Sequence, residues 1–200
     1  MPALARRAFR PGDIPVIGAA DTFDFLGASA AMGHASNAYD IDDGHNIIRA
    51  HPGTSFIGGL LAAGYARDLN AQDFLAALYV SYEATIRMGE AIMDYYQYAH
   101  SSGTFGAVGV AAGAGRIYGL DRAALNNILS VMRAVEYPSM NKDGVPFGVM
   151  TGALALLAGQ SGFTGNKHLL EADEYRHYLD DLGRNHEVMK TEKKVMRILE

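Results

Sequence analysis

The chain has 200 residues, of which 49% are hydrophobic and 20% charged, and its formal net charge at pH 7 is −5. This balance argues against disorder, which needs low hydrophobicity, and against a nucleic-acid partner, which favours a basic excess. The absence of cysteine excludes disulfides, thiolate zinc sites, cysteine nucleophiles and cysteine-ligated iron–sulfur clusters. No apolar run approaches the roughly 20 residues that span a bilayer, so we expect a soluble, cytoplasmic protein without a membrane partner.

Helical periodicity runs through most of the chain after an irregular start. Residues 1–20 carry several prolines and glycines with little periodicity, and we predict an irregular leader there. The clearest pattern follows an Asn70–Asp73 capping box, where apolar residues recur at three- and four-residue steps. The predicted helices run from Thr22 to Tyr39, Pro52 to Arg67, Ala71 to Met93, Gly103 to Tyr118 after a Ser102 cap, Asp121 (the cap) to Ala134, Val149 to Gln160 and Glu171 to Leu182.

Strand signals are weak throughout, because no clean period-two alternation is flanked by turn dipeptides. We therefore predict an all-α fold, a bundle-like array of about six or seven helices. The predicted organisation is a leader over 1–20, a helical domain over 21–183 and a tail over 184–200.

Acids and histidines concentrate in one predicted loop that ends at a helix start. They are Asp40, Asp42, Asp43, His45 and His51. Close carboxylates raise one another's pKa and orient a neighbouring imidazole, so this cluster is suited to abstracting a proton from carbon. Pro52 disfavours helical backbone at His51, which should place His51 just before the helix, near free amides that favour anions. The alternatives are a solvated polar loop with Asp caps, and a metal site formed by Asp40, Asp42, His45 and His51.

Two further places carry polar residues next to predicted helix starts. His100 precedes Ser102 by two residues, so it could meet a ligand carboxylate held by the first amides of the helix. The glycines that follow match neither the dinucleotide-binding nor the P-loop spacing, and close helix packing explains them better. Lys142 lies in a Gly/Pro loop and could hold an anionic group of a substrate. The structural alternatives are a histidine satisfied by hydrogen bonds and a solvated lysine.

The order of these segments resembles the MmgE/PrpD family, with a likeness from about Ala30 to Leu182. The resembling segments are Asn37 to His45 with His51 to Gly53, Tyr82–Glu83 with Arg87 to Gly89, His100 to Gly106, Gly119 to Asp121, Ser139 to Lys142, and Gly162 to Gly165. That family includes 2-methylcitrate dehydratase, cis-aconitate decarboxylase and iminodisuccinate epimerase.

The resemblance implies an all-helical domain and a reaction on a small polycarboxylate without metal or cofactor. The implied step is proton abstraction next to a carboxylate, followed by loss of water, loss of CO2 or reprotonation, with dehydration of the 2-methylcitrate kind as the leading expectation. His51 or His100 would be the base or the acid, Asp40 would orient and Lys142 would anchor a carboxylate. The implied substrate-binding residues are Asp43, His45, Ser102 and Thr104.

The sequence also departs from the family pattern. Gly44 stands where many members have threonine, and the loop after Lys142 differs from the commoner form. Members are longer and carry a second, lid domain, so the resemblance implies a truncated helical core with the lid absent and residues 184–200 as its start or a tail. We expect a homo-oligomer, a dimer, and the alternative to an enzyme is a non-catalytic helical remnant.

Overall fold

Within the described residues the chain is helical apart from one short sheet. The computed structural model describes residues 6–39, 42–93, 102–133 and 144–165. The elements are β1 (Pro11–Pro15), β2 (Thr22–Phe23), α1 (Phe25–Asn37), α2 (Thr54–Ala66), α3 (Ala71–Met93), α4 (Ser102–Ile117), α5 (Arg122–Arg133) and α6 (Val145–Gln160). The predicted all-α class is confirmed, and the helix predicted over 171–182 lies outside the described residues.

The two-stranded sheet was not predicted from the sequence. Strands β1 and β2 pair antiparallel, with an irregularity in register between Pro11 and Ile14. Ile14 and Phe23 are buried, so the sheet adds apolar side chains to the main core. The strands have five and two residues, which is too short for an alternation pattern to stand out in a sequence.

Two predicted helix caps are confirmed by hydrogen bonds. The Asn70 side chain accepts from the backbone N–H of Asp73 at 3.0 Å, and Asp121 accepts from that of Ala124 at 2.8 Å. Helix α1 begins three residues later than predicted, because Asp24 caps it by accepting from the N–H of Gly27. These side chains satisfy amides that have no partner inside their helix.

Helices α2 and α6 also start at other residues than predicted. Helix α2 begins at Thr54, two residues after the predicted Pro52, which lies in the preceding turn. Helix α6 begins at Val145, four residues before the predicted Val149. It tolerates Pro146 in its first turn, since the missing amide would have no intrahelical partner there.

Helix α4 lies at the centre of the packing, against α2, α3, α5 and α6, and α1 packs on α2 and α6. Glycines allow these close approaches. A Cβ at Gly106 would collide with the backbone carbonyl of Ser55 on α2, and one at Gly109 would collide with the side chains of Thr85 and Phe56. The packing role predicted for the glycines of α4 is therefore confirmed. None of the helices in the described ranges combines the length and apolar character that crossing a bilayer requires.

We expect Gly106→Ala to destabilise the protein by about 1 to 3 kcal/mol, because the added methyl group meets rigid backbone. Gly115→Ala on the same helix is the matched control. A Cβ there meets only the flexible end of Leu125, at 3.2 Å, and that of Leu120. Because alanine favours a helix more than glycine does, the free energy of unfolding of Gly115→Ala should equal or slightly exceed that of the wild type. Urea unfolding of the two variants checks the difference, and equal effects would contradict the close-packing explanation.

Candidate active site

The connection between α1 and α2 is described over residues 38–39 and again from Asp42 onward, and the stretch from Asp42 docks on α3 and α4. The backbone N–H of His45 donates to the carbonyl of Ala50 at 3.0 Å, which closes the loop. Ile48, at its tip, is fully buried in a cluster with Ile86 and Phe105. The loop therefore has a fixed path, with an apolar anchor between the two helices.

Asp43 caps helix α2 from the loop. Its carboxylate accepts from the backbone N–H of Gly53 at 2.9 Å and, more weakly, from that of Thr54 at 3.4 Å. Gly53 occupies the N-cap position and has no side chain to cap with, so Asp43 supplies the oxygen atoms. From the sequence we expect free amides near His51 that favour an anion. The structure corrects this, because the chain's own carboxylate is the anion at this helix start.

The His51 ring is held by Asp42 and Asp43, which lie earlier in the same loop. Its Nδ1 lies 2.5 Å from the backbone carbonyl oxygen of Asp43 and 3.7 Å from a carboxylate oxygen of Asp42. The side chain of Asp42 is fully buried, whereas that of His51 is 20% exposed. Because a carbonyl oxygen only accepts, Nδ1 carries the hydrogen in this contact. In the neutral ring Nε2 then has the free electron pair.

Ser102 fixes the backbone of His51 from the neighbouring helix. The Ser102 hydroxyl oxygen accepts from the backbone N–H of His51 at 2.8 Å and is 2% exposed. Ser102 was predicted to be a helix cap, but it is the first residue of α4 and its side chain turns to the loop. The physical reason is that a loop amide partly shielded from water needs an acceptor, and this hydroxyl supplies it.

Tyr82 of α3 binds the same carboxylate oxygen of Asp43 as the Gly53 amide does. Its hydroxyl donates to Asp43 at 3.2 Å, and its ring packs edge-on against Phe56, with centroids 4.9 Å apart. Burial raises the pKa of the Tyr82 hydroxyl well above its ordinary value, and the negative charge of Asp43 raises it further. The group therefore stays a neutral hydrogen-bond donor.

The described residues contain only part of the predicted site. His51, Asp43 and Ser102 come together at the start of α2. His45, predicted to bind substrate, is 8% exposed, and Thr104 is exposed on α4. Asp40, His100 and Lys142 lie outside the described residues, so their convergence with His51 stays a prediction.

Sequence reasoning missed the contacts that two residues make. Tyr82 entered only as part of a segment that resembles the family, with no role of its own. Asp42 entered as one member of the acid and histidine cluster and as a candidate metal ligand, whereas the orienting role was given to Asp40. The adjacent carboxylates could not be told apart from spacing, since their placement depends on where the loop docks. Among the described residues no group of three acids and histidines is arranged to hold a metal ion.

The fold and this loop define an all-α domain that gathers carboxylates and an imidazole at the start of a buried helix. A family model, described as the MmgE/PrpD N-terminal domain, matches residues 1–180. The chain belongs to the MmgE/PrpD family, which contains enzymes. The match includes the first 29 residues, in which the motifs had shown no likeness. No curated protein matches the chain.

We expect Tyr82→Phe to lower the free energy of unfolding by about 1 to 2 kcal/mol at neutral pH, because a hydrogen bond to a carboxylate is lost. The raised pKa of Tyr82 means that the neutral hydroxyl stabilises the folded state fully below the ordinary tyrosine pKa of about 10. The difference in the free energy of unfolding between wild type and Tyr82→Phe should therefore decrease as the pH rises above that value.

Urea unfolding across the alkaline range measures this difference. Tyr65→Phe is the matched control, since Tyr65 is 59% exposed and its change should alter stability little. A difference between wild type and Tyr82→Phe that stays constant or grows above about pH 10 would contradict the burial of a neutral donor.

Proposed function

We propose that the chain acts on a small polycarboxylate by abstracting a proton next to a carboxylate and eliminating water, as in 2-methylcitrate dehydration. His51 is the base in this proposal. The observation that carries it is the hydrogen bond between His51 Nδ1 and the carbonyl of Asp43, which leaves Nε2 as a proton acceptor. Membership of the MmgE/PrpD family supports the class of substrate.

The surroundings of His51 suit a base that becomes charged during the reaction. When Nε2 takes the proton from carbon, the ring becomes a cation with hydrogen on both nitrogens. The buried carboxylate of Asp42, 3.7 Å from Nδ1, then lies beside a positive charge. The partial exposure of the ring leaves room for a substrate to approach, and the buried carboxylate restricts how the ring turns.

The elimination also needs an acid and a cation. The C–H electron pair becomes the new double bond as the C–O bond breaks, and the leaving hydroxide takes a proton to form water. His100 is proposed as that acid and Lys142 as the anchor of a substrate carboxylate. Decarboxylation and epimerisation in the same family would use the same first proton transfer, so a test of function must separate the three outcomes.

We expect the purified chain to form an unsaturated product, seen by ultraviolet absorbance, from 2-methylcitrate or citrate. His51→Gln should lower kcat by at least about 100-fold, as removal of a general base does. His34→Gln is the matched control, because His34 is exposed on α1 and lies outside the site.

Nuclear magnetic resonance of the same reactions in D2O separates the alternatives. Deuterium incorporation without loss of water would indicate an epimerase, and release of CO2 a decarboxylase. No turnover by the wild type, or equal rates for wild type and His51→Gln, would contradict the proposal.

A further inference from the structure

Asp43 contacts the helix start with its side chain and His51 with its backbone. The carboxylate accepts hydrogen bonds from α2 and from the Tyr82 hydroxyl, while the carbonyl oxygen accepts from His51 Nδ1. The position of that carbonyl is thus tied to the position of the carboxylate, since both belong to one residue. Tyr82 does not need to touch a substrate to influence His51.

We propose that Tyr82 and Asp43 are positioning residues that set the tautomer and orientation of His51. Tyr82 holds the carboxylate of Asp43, and Asp43 in turn presents its carbonyl oxygen to His51 Nδ1. The proposal rests on the assignment of His51 as the base, because that assignment requires Nε2 to be free of hydrogen. It gives Asp43, predicted from the sequence to bind substrate, a role within the protein.

The physical reason is the ambiguity of a neutral imidazole, in which either nitrogen can carry the hydrogen. A carbonyl oxygen at Nδ1 selects the Nδ1–H form. If the loop shifts so that this oxygen turns away, the selection is lost and the Nε2–H form gains population. That form cannot accept a proton at Nε2. The buried carboxylate of Asp42 would move with the loop, because it is the adjacent residue.

Gly53 provides an independent way to disturb the same contact without removing a polar group. A Cβ at Gly53 would collide with the Tyr82 hydroxyl and lie 3.0 Å from a carboxylate oxygen of Asp43. Gly53→Ala should therefore separate the hydroxyl from the carboxylate, as Tyr82→Phe does by deletion. Gly44 is a matched control in the same loop, since a Cβ there meets nothing within 4 Å.

The test records long-range 1H–15N correlations of the histidine rings in the full, 15N-labelled chain. It is done at about pH 8.5, where an ordinary imidazole is neutral. The sequence has seven histidines, and His51→Gln assigns the signals by their loss. In the wild type and in Gly44→Ala we expect a hydrogen-bearing Nδ1 and a hydrogen-free Nε2. In Tyr82→Phe and Gly53→Ala the Nε2 signal should shift toward the hydrogen-bearing position.

Circular dichroism verifies that each variant compared is folded. A wild-type ring with hydrogen on Nε2 would overturn the proposal. The proposal would also be overturned if the His51 spectrum were unchanged in Tyr82→Phe or in Gly53→Ala, whichever of them folds. A Gly44→Ala spectrum that shifts as much as that of Gly53→Ala would overturn it as well.

Kinetics supply a second readout and separate this inference from the proposed function. Tyr82→Phe should lower kcat by roughly 10-fold or more and change KM by less than about two-fold, because it disturbs the orientation of the base. Tyr65→Phe should leave both unchanged. If the His51 spectra are as expected but neither the wild type nor any variant turns over substrate, the proposed function is wrong and the positioning of His51 stands. If turnover depends on His51 but Tyr82→Phe keeps the wild-type tautomer and kcat, the positioning is wrong.

Discussion

The close contact between α2 and α4 is the constraint on which the site depends. At Gly106 the two helices approach until no side-chain carbon fits against the Ser55 carbonyl. This distance also decides what the first residue of α4 can reach. Ser102 lies on the same helix, one turn earlier, and its hydroxyl binds the backbone of His51 at 2.8 Å. A larger residue at the crossing would displace the helix and take this acceptor away from the loop.

The start of α2 is already neutralised by the protein itself, and this changes how a substrate can be held. The amides of Gly53 and Thr54 bind the Asp43 carboxylate, so they offer no anion site to a polycarboxylate. The carboxylates of the proposed substrate would then need cationic side chains. This requirement gives more weight to Lys142 as the proposed anchor than sequence spacing alone had given it.

Patterns that act over a few residues were predicted well. The three- and four-residue periodicity predicted α3 with its observed bounds, and the caps at Asn70 and Asp121 form the expected hydrogen bonds. Contacts between distant segments were not predictable in the same way. Tyr82 is 39 residues from Asp43, and only the docking of the loop shows that they meet. The resemblance pointed to the loop that contains His51, whereas the contacts of its adjacent acids depend on how that loop docks.

In the proposed mechanism the capping of α2 and the orientation of His51 depend on the same residue, which would couple stability and activity at Asp43. An N-cap interaction is worth about 1 kcal/mol to a helix, whereas a misplaced catalytic group can lower a rate about 100-fold. The loop would therefore lose most of the proposed catalytic geometry before the fold is much affected. It follows that variants of this loop should be compared by the state of the His51 ring, because their unfolding energies alone would understate the change.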